Sequence, residues 1–143
     1  MVMKCFEKLV EGSGDITLCL GFDERNRSRG KASTHEGQMV AWFLQRGEYL
    51  RQDDILKTDC GLLVQIVAAA EPVSKVTADD PFLLLRAAYH LGNRHVPLQV
   101  ERTLLLYQSD HVLDEMLRGL GLSVEKIHSA FQPEDGAYHS HDH

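Results

Sequence analysis

Histidine is the side chain whose number and spacing are most suggestive of chemistry in this chain, which has eight histidines among 143 residues. Three of them, His139, His141 and His143, alternate with Ser140 and Asp142 at the end of the sequence. Neutral imidazole binds nickel, copper and zinc, and a carboxylate can add an oxygen ligand. A tail of this kind can close onto a metal ion that other side chains hold. The alternative is an expression tag or a chance polar end, but a typical tag is an unbroken run of histidines. We predict that the tail binds metal.

Another candidate ligand, His95, lies in a short loop, residues 92–97, between the end of a predicted helix and the start of a strand. Loop residues held by a rigid scaffold are frequent ligands. One imidazole makes a poor metal site, but two chains that meet at a twofold axis would supply two. Considered alone, His95 also fits an ordinary surface histidine.

His111 falls in the first turn of a second predicted helix. The positive end of the helix dipole disfavours the charged imidazolium there, so the neutral form that binds metals is favoured. A first-turn residue without any role in metal binding would occupy the same position, so both interpretations stay open. The other three histidines are predicted to be isolated at helix, strand or surface positions: His35, His90 and His128.

Composition excludes several classes of function. The formal net charge is −6, so the chain has no overall attraction for phosphate backbones and we expect no nucleic-acid partner. No apolar run approaches the ~20 residues of a membrane span, and the first residues lack the apolar centre of a signal peptide, so we expect a cytoplasmic protein. Cys5, Cys19 and Cys60 are far apart and are expected to be reduced. No serine or cysteine has the setting of an activated nucleophile, and the spacing of the carboxylates leaves a carboxylate-pair hydrolase open without favouring one. We therefore predict no catalytic residues and a protein that is not an enzyme.

The elements that must position these histidines indicate an α+β fold with a β-rich first part. Apolar side chains alternate over residues 16–22, which is typical of a strand with one buried face. Further short strands follow with turns about every ten residues. The charged stretch 23–31 is predicted to be a solvated turn, with a docking loop as the alternative. Residues 1–70 are therefore predicted to form a small antiparallel β domain.

The second part mixes strands with two helices. Asp80 and Pro81 are suited to the N-cap and the first position of a helix, and Gly92 is predicted to end it. A second helix is predicted to begin near Ser109 and Asp110. The resulting order, β-α-β-β-α-β over residues 71–132, is that of a ferredoxin-like domain. Residues 133–143 are predicted to be a flexible, histidine-containing tail.

These segments resemble the urease accessory nickel chaperones, the UreE family. The resemblance is densest from residue 78 to residue 138, and its longest segment is Ala87-Ala88-Tyr89-His90-Leu91-Gly92-Asn93-Arg94-His95-Val96-Pro97. The other matching segments are residues 22–25, 44–47, 78–81, 110–117 and 131–138.

The resemblance implies a homodimer that carries nickel. In this family an N-terminal β domain, likened to a chaperone peptide-binding domain, precedes a ferredoxin-like domain that binds metal and dimerises. The histidine matching His95 is the nickel ligand, contributed by both subunits at the dimer axis. The histidine matching His111 belongs to peripheral copper or nickel sites in some members, and some relatives have a further histidine where this chain has Ser109. Tail histidines join the coordination, here His139, His141 and His143.

The leading hypothesis is therefore a metallochaperone that delivers Ni(II) for assembly of the urease active site, with the urease apoprotein complex and an accessory GTPase as partners. The short tail predicts few ions per dimer, and transfer in preference to storage. Copper and zinc compete with nickel for sites of this chemistry, so Cu(II) and Zn(II) should also bind in vitro. The alternatives are a general copper/zinc-binding buffer protein and a metallohydrolase, which would need a closed site with an open metal position.

Overall fold

The computed structural model describes residues 1–136. The chain forms two compact units, one spanning Met1–Ala69 and the other beginning at Ala70. Each unit contains its own sheet, and strands outnumber helices in the described part of the chain. Within residues 1–136, no helix is long and apolar enough to cross a membrane.

The first unit is built on a six-stranded sheet and one short helix, α1 (Phe22–Arg25). The strands are β1 (Val2–Leu9), β2 (Ile16–Leu20), β3 (Arg29–Ser33), β4 (Met39–Phe43), β5 (Ile55–Thr58) and β6 (Leu63–Ala68). Their order in the sheet is β2-β6-β5-β1-β4-β3. One face of this sheet carries the core of the unit, with Leu18, Trp42 and Leu56 among its fully buried side chains.

The prediction of an antiparallel sheet in the first unit is wrong, because β1 pairs in parallel with β4 and β2 pairs in parallel with β6. The remaining pairs are antiparallel. The error has a physical source: short turns between strands report antiparallel neighbours, whereas parallel neighbours are joined by long connections that leave no local turn signal.

The charged stretch 23–31 is also not simply a solvated turn, because it contains most of α1 and the start of β3. Arg25 is completely buried, its Nε donates a hydrogen bond to the carbonyl oxygen of Leu20 at 3.1 Å, and its guanidinium lies 5.9 Å from the centre of the Phe22 ring. A charged side chain with this much internal bonding and packing belongs to the core, although its residue type suggested solvent.

The second unit contains β7 (Glu71–Thr77), α2 (Pro81–Asn93), β8 (Gln99–Val100), β9 (Leu105–Gln108), α3 (His111–Gly119) and β10 (Ser123–Ser129). Its four-stranded sheet has the order β10-β7-β9-β8, and every neighbouring pair is antiparallel. Apolar side chains of both helices pack with those of the strands in one cluster, which includes Val76, Leu91, Tyr107 and Leu117.

The predicted start of α2 is confirmed, because Asp80 caps it by accepting a 3.0 Å hydrogen bond from the backbone N–H of Phe82 and Pro81 is its first residue. The predicted end is wrong. Gly92 lies inside the helix, which continues to Asn93 and ends through the conformation of His95.

Candidate metal centre

His95 ends α2 with a left-handed backbone, at φ 58°. Its N–H donates to the carbonyl oxygen of Gly92 at 3.0 Å, and the N–H of Val96 donates to the carbonyl oxygen of Leu91 at 3.2 Å. This pair of bonds is the Schellman motif, in which the left-handed residue is usually glycine because a Cβ atom is disfavoured there. His95 thus occupies a position that is strained for its residue type, and such strain concentrates at functional sites.

The core of the second unit holds this loop in place. Val96 packs against the apolar cluster that contains Leu91, which is the hydrophobic contact that accompanies a Schellman motif. The side chain of His95 itself is exposed. The imidazole is therefore presented to solvent from a rigid turn, which is the arrangement that a ligand for an exchangeable ion requires.

An open cavity of about 340 Å³ brings the end of α2 together with the segment that leads into α3. His95 lines this cavity together with Ser109 and Asp110, which are distant from it in sequence. Asp110 is the N-cap of α3: its Oδ1 accepts hydrogen bonds from Val112 N at 2.9 Å and from Leu113 N at 3.0 Å. The lining of the cavity therefore includes both an imidazole and a capping carboxylate.

His111 is the first residue of α3 and its side chain is exposed, but it does not line the cavity beside His95. Two residues earlier, the hydroxyl of Ser109 lies 3.5 Å from the hydroxyl of Ser74. His111 is thus presented by itself at the start of the helix.

No group of three His, Cys, Asp or Glu side chains within residues 1–136 is close enough to hold a metal ion. His95 therefore lacks a full set of ligands from the described part of its own chain. The tail ligands predicted from the sequence, His139, His141 and His143, lie outside the described residues. The other histidines do not line the cavity: His35 and His128 are exposed, and half-buried His90 lies edge-on to Tyr89 at 5.4 Å.

Asp114, on α3, is a buried carboxylate that the sequence did not single out. Asp114 is 1% exposed, and its Oδ1 accepts hydrogen bonds from Tyr107 Oη at 2.5 Å and from Ser74 Oγ at 2.7 Å. Burial raises the pKa of the Tyr107 hydroxyl, and the hydrogen bond to Asp114 raises it further. This network ties α3 to β7 and β9. The available signal was position, since Asp114 lies next to Leu113 and three residues before Leu117 on the buried side of α3.

Part of the outward face of α2 is apolar. Phe82, Leu85 and Tyr89 are 60%, 69% and 65% exposed, and their spacing of three and four residues places them on one side of the helix. Large apolar side chains exposed together mark interaction surfaces. This α2 stripe runs along the helix that ends at His95.

Comparison with known proteins covers both units. A family model described as the N-terminal domain of the UreE urease accessory protein matches residues 10–69, and one described as its C-terminal domain matches residues 71–143. Related proteins named Urease accessory protein UreE include that of Saccharophagus degradans, 53% identical over 124 residues, which are 87% of this chain and 74% of the relative. The protein of Teredinibacter turnerae is 48% identical over 141 residues, 96% of this chain and 92% of the relative. That of Proteus mirabilis is 53% identical over 123 residues, 86% of this chain and 76% of the relative.

Proposed function

The chain belongs to the UreE family of urease accessory proteins, and on this basis we propose that it is a metallochaperone that carries Ni(II) for assembly of the urease active site. Nickel is its cargo. The protein performs no turnover of its own, works in the cytoplasm and passes the ion to the urease apoprotein complex together with an accessory GTPase.

The observation that carries this proposal is the conformation and exposure of His95. His95 has the left-handed backbone that glycine usually adopts, and its side chain is exposed at the edge of a cavity. This backbone conformation costs free energy, and a role in binding metal explains why a histidine occupies the position. Because residues 1–136 do not supply three ligands to one place, the remaining donors must come from a second copy, from the tail or from water. An ion shared in this way can be held and then released, whereas a closed four-ligand site would retain it.

The second copy is proposed to dock through the α2 stripe. Its three apolar side chains offer the kind of surface that homodimers bury. A twofold axis near the C-terminal end of α2 would bring the two His95 side chains together, because both are carried by the same helix end. The domain predicted at residues 71–132 is then the metal-binding and dimerisation domain. The element order and antiparallel sheet of the second unit support a ferredoxin-like fold.

The other histidines have subordinate roles in this proposal. Those of the tail, residues 133–143, complete the coordination sphere of the shared ion: His139, His141 and His143. His111 is exposed and separate from the cavity, so it is assigned to a weaker peripheral site that also accepts copper or zinc. The N-terminal β domain predicted at residues 1–70 is assigned to the recognition of partner proteins.

Calorimetry and urease maturation together test the proposal. His95→Ala should remove the tightest nickel-binding event and lower urease activity in cells grown at limiting nickel, with recovery at excess nickel. His128→Ala is the matched control, because it removes an exposed histidine from β10 and should change neither quantity. Normal maturation at limiting nickel in the His95→Ala strain would refute delivery through His95. Loss of copper or zinc binding without any effect on urease would identify a general metal buffer instead.

A further inference from the structure

The chain that follows β10 crosses one end of the second unit's sheet. Ser129 ends β10, yet five residues later the backbone N–H of Glu134 donates a 2.8 Å hydrogen bond to the carbonyl oxygen of Leu98, directly before β8. In the sheet order β10-β7-β9-β8 these two strands lie at opposite edges. Three spacings between neighbouring strands amount to about 14 Å. The chain after β10 is therefore carried across the width of the sheet.

The crossing lies at the end of the sheet that carries His95. Ser129 is paired with Glu71, the first residue of β7, and at this same end β9 leads into α3 and β8 begins. Leu98 follows His95 by only three residues. The cavity that His95 lines is at this end too, because Ser109, between β9 and α3, also lines it. The chain that leads to the tail histidines is thus held beside the loop of the candidate ligand.

Four residues, which we call the tail anchor, hold the chain there: Phe131, Gln132, Pro133 and Glu134. Phe131 is completely buried and Pro133 is buried as well. The backbone N–H of Gln132 donates to Gln99 Oε1 at 2.9 Å, and Gln99 Nε2 in turn donates to Glu101 Oε2 at 2.9 Å. Two buried side chains and two hydrogen bonds, to Leu98 and Gln99, fix the point from which the chain runs on to the tail histidines.

Covalent geometry limits the distance between this point and the candidate ligand. Three residues of extended chain span at most about 11 Å, so His95 lies no farther than that from Leu98. The hydrogen bond between Glu134 and Leu98 brings their backbones to roughly the 5 Å spacing of neighbouring strands. His139 follows Glu134 by five residues, which can span up to about 18 Å. A tether of five residues is therefore long enough to bring the first tail histidine to His95.

We propose that the tail anchor is a positioning element of the metal site, which holds the tail histidines at high effective concentration beside the ion at His95. This inference rests on the proposed function, in which those histidines complete the coordination of the ion. The effective concentration of a tethered group falls roughly as the −3/2 power of the tether length. Without the anchor the tether to His139 would begin at Ser129 and double from five to ten residues, so the tail should hold the ion about threefold less well.

The rate at which nickel passes from the full chain to a coloured chelator measures this contribution. Gln99→Ala combined with Glu134→Pro removes both hydrogen bonds, since proline has no N–H, and nickel should leave this variant about two- to threefold faster. Glu134→Ala is the matched control, because it keeps the backbone N–H and should release nickel like the wild type. Ten glycine and serine residues inserted after Gly136 leave the anchor in place but triple the tether, so they should speed release about fivefold.

The same substitutions in a chain that carries His139→Ala, His141→Ala and His143→Ala separate positioning from a structural role. Without these imidazoles the anchor has nothing to position, so Gln99→Ala with Glu134→Pro should no longer change the rate of release. Faster release in that background would show that the anchor acts through the fold of the His95 loop, and the inference would be wrong.

Amide hydrogen exchange in the metal-free protein provides a second measurement. The amides of Gln132 and Glu134 should be protected in the wild type, and that of Gln132 should exchange faster after Gln99→Ala. Unprotected amides in the wild type, or unchanged nickel release from the anchor and insertion variants of a chain that loses nickel on His95→Ala, would overturn this inference alone. Tight nickel binding that survives His95→Ala would refute the proposed function, and this inference with it.

Discussion

His95 occupies at the end of α2 the same backbone position that Gly121 occupies at the end of α3. Gly121 has φ 97°, its N–H donates to the carbonyl oxygen of Arg118 at 3.0 Å, and the following Leu122 N–H donates to Leu117 O at 3.0 Å. The pattern of bonds is that of His95 and Val96. The fold thus uses glycine at one helix end and tolerates a side chain at the other, where the side chain is an exposed imidazole.

The first prediction concerns His95→Gly. Because a left-handed backbone costs a residue with a Cβ atom roughly 1–2 kcal/mol, the substitution should raise the free energy of unfolding by about 1 kcal/mol. His95→Ala retains the Cβ atom and should leave that free energy nearly unchanged. Both variants should lose tight nickel binding. Urea unfolding in the presence of a chelator measures the stability, and calorimetry measures the binding.

Gly121→Ala is the converse experiment on the same motif. A Cβ atom at this position would meet Leu83 Cδ1 at 3.7 Å, which is an ordinary contact, so only the backbone is penalised. The free energy of unfolding should fall by roughly 1–2 kcal/mol while nickel binding stays intact. If His95→Gly is no more stable than His95→Ala, the left-handed conformation of His95 is not a source of strain.

The contrast between the two helices and the first strand explains what could be predicted from the sequence. The starts of α2 and α3 could be predicted because Asp80 and Asp110 lie within a few residues of the N–H groups that they cap. The strand β1 could not be predicted in this way. Its partners β4 and β5 lie far along the chain, and its charged residues Lys4, Glu7 and Lys8 mask the alternation of apolar and polar side chains. Local signals identify elements, whereas the pairing of distant strands has no local signature.

The candidate site shows the same division. His95 was found from its residue type and loop position, but its cavity with Ser109 and Asp110 depends on how α2 and α3 pack. The sequence offered no means to see that Gly92 stays helical, because glycine at a helix end favours termination and here His95 takes over that role. Burial of Asp114 depends equally on long-range contacts with Ser74 and Tyr107.

The second prediction concerns Tyr107→Phe and pH. Removal of the hydroxyl deprives buried Asp114 of one hydrogen bond, which should lower the free energy of unfolding at neutral pH by about 1–3 kcal/mol. Burial raises the pKa of Tyr107 in the folded protein, so its contribution is complete below about pH 10 and is lost as the pH rises beyond that value.

The difference in stability between wild type and Tyr107→Phe should therefore shrink at alkaline pH. Urea unfolding at a series of pH values measures it. Tyr89→Phe serves as the control, because Tyr89 is 65% exposed and the substitution removes only its hydroxyl while the aromatic ring of the α2 stripe is kept. A difference that stays constant up to about pH 11, well past the ordinary tyrosine pKa, would contradict the assigned role of the Tyr107 proton.

The third prediction concerns the thiols. Cys60 is exposed, and its hydrogen bond with the Thr58 hydroxyl, at 3.2 Å, lowers its pKa, whereas burial raises the pKa of Cys5 to about 11. Because the thiolate is the reactive form, iodoacetamide should modify Cys60 faster than exposed Cys19 and should spare Cys5 in the folded protein. Thr58→Val should slow the modification of Cys60 relative to that of Cys19 in the same molecule. Mass spectrometry of the digested protein measures all three rates, and a Cys5 that reacts as fast as Cys19 would contradict the burial.

The fourth prediction concerns the α2 stripe. Leu85 is 69% exposed at its centre, so Leu85→Glu should cost little in the isolated chain but should place a carboxylate inside the proposed dimer interface and abolish dimerisation. Val112→Glu is the matched control, because Val112 is 64% exposed on α3 and lies outside the stripe. Sedimentation equilibrium should find monomers for the first variant and dimers for the second.

Since a shared ion needs two copies of His95, Leu85→Glu should also lose the tightest nickel-binding event although His95 is intact. A monomeric variant that binds nickel like wild type would separate the metal site from the interface and would refute sharing of the ion between subunits.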